Sequence, residues 1–205
     1  MRELRYNPDQ PRDSHGRFGT GDASYDKNNE DLKQTIEAWQ DSDSPAEGLH
    51  PDDEFISSYK QTCNDAAAAA KAGGQAAKDD PIVNGIRNEE FAGTIYRGLT
   101  INKTDEMAHW KERQTVQLMP TSFSKSQAIA EDFAIRDIGQ PGGMPKEIPV
   151  IIHLTGGGAG IELGTRGNAS FAAEKEVISG GKFKVVGILP YGGIYHITLK
   201  QTGVF

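Results

Sequence analysis

Near residue 93 the hydrophobic period of this chain changes from helical to extended, and that switch constrains the fold more than any other feature. Before it, apolar residues recur at the three- and four-residue spacing of one helix face. Leu32, Ile36 and Trp39 predict a short helix from Asn28, which the run DSDSPAEG breaks. Asp52 is suited to cap a second helix, whose stripe runs through Phe55, Ile56, Tyr59 and Cys63 into the alanines of 66–70 and stops at Gly73 and Gly74. Asp80 followed by Pro81 pairs a cap with a first-turn proline and opens a third helix through Ile82 and Ile86. After the switch, TIYRGLT, IPVIIHL, AGIELGT, KEVIS, FKVVGIL and GIYHITLK are β-branched and aromatic runs separated by Gly, Pro or Asn. Many short strands imply antiparallel sheets. Two helical interludes are expected among them: Thr104 to about Arg113, with Met107 and Trp110 inward, and Ser126 to about Arg136, with Ile129 and Phe133 one turn apart. Helices first and strands after predict an α+β domain rather than a doubly wound one.

The 205 residues suffice for one good core and a small extra segment. Residues 1–27 are rich in Gly, Pro, Asp, Ser and Arg without a hydrophobic period, the composition of a flexible arm. One domain is expected over 28–205, helical over about 28–92 and β-rich over about 93–205. No apolar run is long enough to cross a bilayer, and no apolar stretch with a cleavage site follows the N-terminal arginines. A soluble chain is expected, with export by a non-classical route left open. The net charge of -7 argues against a broad electrostatic grip on nucleic acid, while leaving room for a local basic cleft. Cys63 is the only cysteine, and the 5 histidines are scattered without metal-ligand spacing, so neither a disulfide nor a metal is expected. The cluster TGGGAGIELG fits neither dinucleotide nor phosphate-loop templates, because Ile161 and Leu163 stand where glycine is required; it reads as a tight β connection.

What remains for chemistry are three short pieces far apart in sequence: YRG at 96–98, TSFS at 121–124 and EKE at 174–176. In an extended segment Glu174 and Glu176 share a face about 7 Å apart, with Lys175 opposite. Taken alone, such a pair is a solvated strand face. The order of an arginine on a first core strand, then S-x-S, then E-x-E resembles the arginine-serine-glutamate class of mono-ADP-ribosyltransferases. The resemblance spans roughly residues 52–200. Within it, TSFSKSQAIAEDFA is similar to the serine motif running into a helix, and EKEVISGGKFKVVG to the glutamate strand, turn and next strand. It implies an ADP-ribosyltransferase-like α+β fold, with N-terminal helices packed on a split pair of antiparallel sheets. NAD is the implied co-substrate, without a metal.

Position by position, the resemblance implies that Arg97 holds the NAD diphosphate, a task suited to a guanidinium fork. Gly98 would bond the nicotinamide amide through its backbone; a turn glycine is the alternative. Ser122 would position the catalytic glutamate, with Ser124 supporting. Phe133 and Arg136 fall where relatives place an aromatic against nicotinamide and a second phosphate contact, although Phe133 also fits a core stripe. Glu176 matches the glutamate that stabilises the positive charge developing on the ribose as nicotinamide leaves. Glu174 stands where arginine-modifying members have glutamate, so a protein arginine is the implied acceptor. The stretch 166–173 would be a substrate-recognition turn with Phe171 touching the acceptor, or an ordinary loop. Phe123 departs from the small or polar residue usual at its place and is expected to face away from NAD.

The arm's PRDSHGRFGTG resembles segments joining domains in tailed-phage head proteins, which implies a phage enzyme carried into, or made in, a bacterium. A bacterial toxin or effector module acting in the cytoplasm of a target cell is the competing setting. Net NAD hydrolysis, and a virion-associated binding module without activity, are the rival functions. A nucleic-acid acceptor stays open, because related folds use diverse nucleophiles.

Overall fold

The computed structural model describes residues 23–41, 57–102, 107, 110–135, 147–164, 166 and 174–205. The helical part comprises α1 (Ala23–Trp39), α2 (Ser58–Ala72), α3 (Ala76–Asp79) and α4 (Pro81–Asn88). Helix α1 starts at Ala23, ahead of the Asn28 at which the hydrophobic period begins. Ser57, not Asp52, caps α2 by accepting from the Lys60 N–H; Asp52, Phe55 and Ile56 lie outside the described residues. Gly73 ends α2 with φ 66°, a left-handed turn that a glycine adopts without a steric penalty. The Asp80 carboxylate accepts from the Val83 N–H and Pro81 takes the first turn of α4, as the sequence predicts.

The strands are β1 (Glu90–Phe91), β2 (Ile95–Asn102), β3 (Thr115–Ser124), β4 (Glu147–Leu154), β5 (Gly158–Glu162), β6 (Glu176–Tyr191) and β7 (Ile194–Gly203), with α5 (Gln127–Ile135) after β3. They form a seven-stranded sheet in the order β1-β5-β6-β3-β2-β4-β7, and a further β6–β7 ladder joins β7 back to β6. All ladders are antiparallel except β4–β7, a parallel pairing that no local pattern in the sequence announces. The expected split is present as a near-break: β2 and β3 are joined through the single registered pair Tyr96↔Ser124.

Over 110–114 the structure departs from the expected helix. Trp110 and Gln114 make three-residue turns back to Met107 and Lys111, at 3.1 Å each, and Arg113 sits at φ 66°. Sheet pairing overrides helix here, because the Arg113 N–H already donates to the Val185 carbonyl at 2.8 Å and Val185 to that of Gln114. Residues 103–106, 108 and 109 lie outside the described residues. Met107 and Trp110 do pack on the sheet core, as expected.

Three apolar clusters hold these layers together. One lies within the sheet, around Phe123, Val177, Phe183 and Leu199. A second joins α1, α2 and α4, through Ile36, Trp39, Ala66, Ile82 and Ile86, to Ile161 and Ile178 of the sheet. In the third, Ala130 and Ala134 of α5 pack on Ile151 of β4.

Candidate active site

The break between β2 and β3 is where the site forms. Residues 121–124 of β3 pair with β6 on one side, which leaves their other edge without a full ladder. The Ser122 carbonyl accepts instead from Arg97 Nη1 at 2.8 Å, so a guanidinium substitutes for the missing strand partner and satisfies a backbone acceptor. Burial pulls the Arg97 pKa down from its ordinary value, while the neighbouring Tyr59, Cys63 and Glu176 groups pull it back up. A guanidinium stays charged under that balance.

Ser122 and Glu176 are diagonal neighbours across the β3–β6 ladder, because Ser122 pairs with Ile178 and Ser124 with Glu176. The Ser122 hydroxyl accordingly donates to Glu176 Oε1. Phe123, one residue on, is buried in the sheet core and also contributes to the wall of the cleft. From the other side, Trp39 Nε1 donates to Ser122 Oγ at 2.9 Å and to Glu176 Oε1 at 3.2 Å, and Gln40 Nε2 donates to Glu176 Oε2 at 2.8 Å. Tyr59 stands edge-on to Trp39, with ring centroids 5.9 Å apart. Burial, with Cys63 next in effect, pushes the Tyr59 phenol up to about 12, so it is a neutral hydroxyl at ordinary pH.

Glu174 reaches the same place by a route that strand alternation does not give. It precedes β6 in a short 3₁₀ turn, and Lys175 sits at φ 48°, a left-handed conformation rare for a residue with a side chain. The sheet side helps hold that turn: Ser124 Oγ donates to the Glu174 carbonyl at 2.5 Å, and the Lys125 N–H donates to the Lys175 carbonyl at 3.1 Å. The Ser126 N–H donates to Ser124 Oγ at 2.9 Å, so this one hydroxyl fastens the glutamate turn to the approach to α5. Ser124 thus contacts backbone of the turn itself.

Packing against α5 places its own demand on Gly98. A Cβ there would fall 1.7 Å from the Ala130 carbonyl oxygen and 2.7 Å from the Ala134 nitrogen, so its absence is what lets α5 lie on β2. With Ala130 and Ala134 facing the sheet, Ile129 and Phe133 turn towards the opening, and Phe133 is 40% exposed, which removes it from the core-stripe reading.

Together these groups wall a cavity of about 420 Å³, within the size range of small-molecule sites. Arg97, Gly98, Ser122, Ser124, Phe133, Glu174 and Glu176 all line it. Arg136 and Phe171 lie outside the described residues. Arg166, at the start of the expected recognition turn, donates from Nη1 to both carboxylate oxygens of Glu89, at 2.6 and 2.7 Å. Sequence reasoning missed Trp39, Gln40 and Tyr59 as wall residues, reading Trp39 and Tyr59 as apolar stripe. The available signal was chemical: a buried indole N–H needs an acceptor, and Trp39 sits at a helix end.

Helices on one side, a near-broken sheet, and a cleft opening at the break make this the ADP-ribosyltransferase fold. Among solved structures the chain is similar to ADP-ribosyltransferase HopU1 of Pseudomonas syringae pv. tomato DC3000, with a TM-score of 0.56 and 14% identity over 88% of this chain and 83% of that one. It is also similar to ADP-ribosyltransferase Vis of Vibrio splendidus, solved with an inhibitor, with a TM-score of 0.51 and 19% identity over 84% of this chain and 72% of that one. No protein-family model matches the sequence, and no curated protein does. Among the described residues no helix is long and apolar enough to cross a membrane.

Proposed function

We propose that this chain is an NAD-dependent protein mono-ADP-ribosyltransferase that releases nicotinamide and passes ADP-ribose to an arginine side chain of a protein in a host or target cell. The observation that carries the reading is the convergence, in one cavity, of a guanidinium and a carboxylate fixed by three donors. Arg97 is the group suited to a pyrophosphate, which accepts paired N–H bonds. Glu176 is suited to the sugar, because an anion held in place stabilises charge that builds only as the base departs. In the reaction the bond from ribose C1′ to the nicotinamide nitrogen breaks, and its electron pair leaves with neutral nicotinamide. A guanidine nitrogen of the acceptor bonds C1′ and gives up a proton, for which Glu174 is the nearest proposed base.

The choice of arginine rests on Glu174, a carboxylate in the cavity wall that can pair with a guanidinium. Glu174→Gln is expected to keep NAD hydrolysis near the wild-type rate while labelling of protein arginine falls by about 10². Incubation with labelled NAD and a bacterial lysate, scored for labelled bands and for free nicotinamide, separates the outcomes. Equal loss of both products would count against the acceptor role; nicotinamide without any band indicates hydrolysis; neither product from the wild type indicates a binding module. The phage setting rests on the sequence of the arm alone, and a toxin or effector module is the competing setting.

A further inference from the structure

We infer that the C-terminal end of α1, through Trp39 and Gln40, positions the Glu176 carboxylate and leaves one acceptor site on its Oε2 for a substrate hydroxyl. This rests on the NAD-consuming reading above and adds two positioning residues to it. An ionised carboxylate offers two acceptor sites on each oxygen and donates nothing. Oε1 takes two donors, the Ser122 hydroxyl and the Trp39 indole, and is filled. Among the described residues Oε2 takes one, the Gln40 amide at 2.8 Å, which leaves a second acceptor site. The indole also donates to Ser122 Oγ, which orients that hydroxyl so that its own hydrogen is directed at Glu176. Trp39 therefore acts on the carboxylate directly and through Ser122.

The arrangement is rigid on the helix side. Trp39 is 1% exposed, its ring packed in the helical cluster, and α1 closes on itself with Gln40 N–H bonds to the Ile36 and Glu37 carbonyls at 3.1 and 3.2 Å. Asp41 is tied to α2, its carbonyl accepting from the Tyr59 N–H at 2.9 Å. The carboxylate is thus held between β3 of the sheet and an element distant in sequence, separated from Glu176 by 136 positions at Gln40. Preorganised contacts of this kind leave substrate affinity little changed, and their loss lowers the chemical step, because misplacement of a reacting group by even about 1 Å can cost roughly 10²-fold.

The test compares the wild type with Gln40→Met, which keeps side-chain volume without the donor, and Trp39→Phe, which keeps a smaller aromatic ring without the N–H. Nicotinamide release is measured against NAD concentration. Both variants are expected to melt within a few degrees of the wild type and to lose kcat by roughly 10- to 100-fold with KM changed less than about twofold. A further variant, Gln40→Glu, places a like charge beside Oε2 and is expected to move the acid limb of the kcat profile to higher pH, which a purely structural role would not do. An active wild type whose kcat survives Gln40→Met and Trp39→Phe overturns the inference and leaves the proposed function standing. A fall in affinity alone overturns it as well. An inactive wild type overturns both together.

Discussion

Glu176→Ala is expected to lower nicotinamide release by about 10² to 10³ while the chain keeps its fold. The loss is large because the carboxylate lies in the cavity wall and donors on both oxygens aim it, whereas the other carboxylate there, Glu174, stands on a separate turn. The fold survives because the partners do not all depend on it. Trp39 Nε1 retains Ser122 Oγ at 2.9 Å, and the β3–β6 ladder is made by backbone. The expected cost in stability is about 1–2 kcal/mol, the usual size for a part-buried hydrogen bond removed with its acceptor. Rate and melting temperature measured on the same preparation check both halves. A variant that turns over NAD at the wild-type rate would place the chemistry elsewhere.

The second large effect falls on stability. Gly98→Ala puts a methyl 1.7 Å from one backbone atom of α5 and 2.7 Å from another, and backbone of a packed helix cannot swing aside as a flexible side chain can. Helix α5 must move off β2, which opens the packing of Ala130 and Ala134 on Ile151 and carries Ile129 and Phe133 away from the cavity. Overpacking of this kind costs about 1–3 kcal/mol, or a fall in melting temperature of roughly 3 to 10 °C for a chain of this size. Activity is expected to fall with it. Thermal melting followed by circular dichroism reads the effect, and a melt matching the wild type would mean that α5 does not approach β2 so closely.

What could be read from the sequence was what short-range physics determines. The change of period near residue 93, the Asp80 cap with Pro81 and the Gly73 stop each depend on neighbours along the chain, and each is present. The failures share the opposite character. KEVIS and FKVVGIL were separated at Gly180 and Gly181, yet β6 runs straight through them. Those glycines are there for distant atoms: the Phe205 ring would crowd a Cβ at Gly180, and the Gly203 carbonyl would crowd one at Gly181. The first half of β3 escaped notice because Pro120 breaks the run, and the ladder accommodates it with a register shift between Leu118 and Thr121. The parallel β4–β7 pairing is likewise long-range and has no local signature.

The site divides along the same line. Arg97, Ser122 and Glu176 lie in recognisable short motifs and do line one cavity. The reason offered for Glu174 was wrong in mechanism, because a left-handed Lys175, rather than strand alternation, brings both carboxylates to the same wall. Trp39 and Gln40 were illegible because periodicity says only that a residue faces inward, never which acceptor its N–H will meet. At Gly98 a short motif marks a position on which the distant α5 also places a packing demand that no local pattern shows.

The central proposition is that Arg97 and Glu176 hold two parts of one dinucleotide, and calorimetric titration of NAD tests it most directly. In the Glu176→Gln chain, expected to turn NAD over too slowly to disturb a titration while keeping the shape of the wall, NAD is expected to bind; adding Arg97→Lys is expected to weaken that binding about tenfold or more, because a point charge cannot reproduce the fork. Equal affinity in the two chains, or no binding to the first, would contradict the proposition.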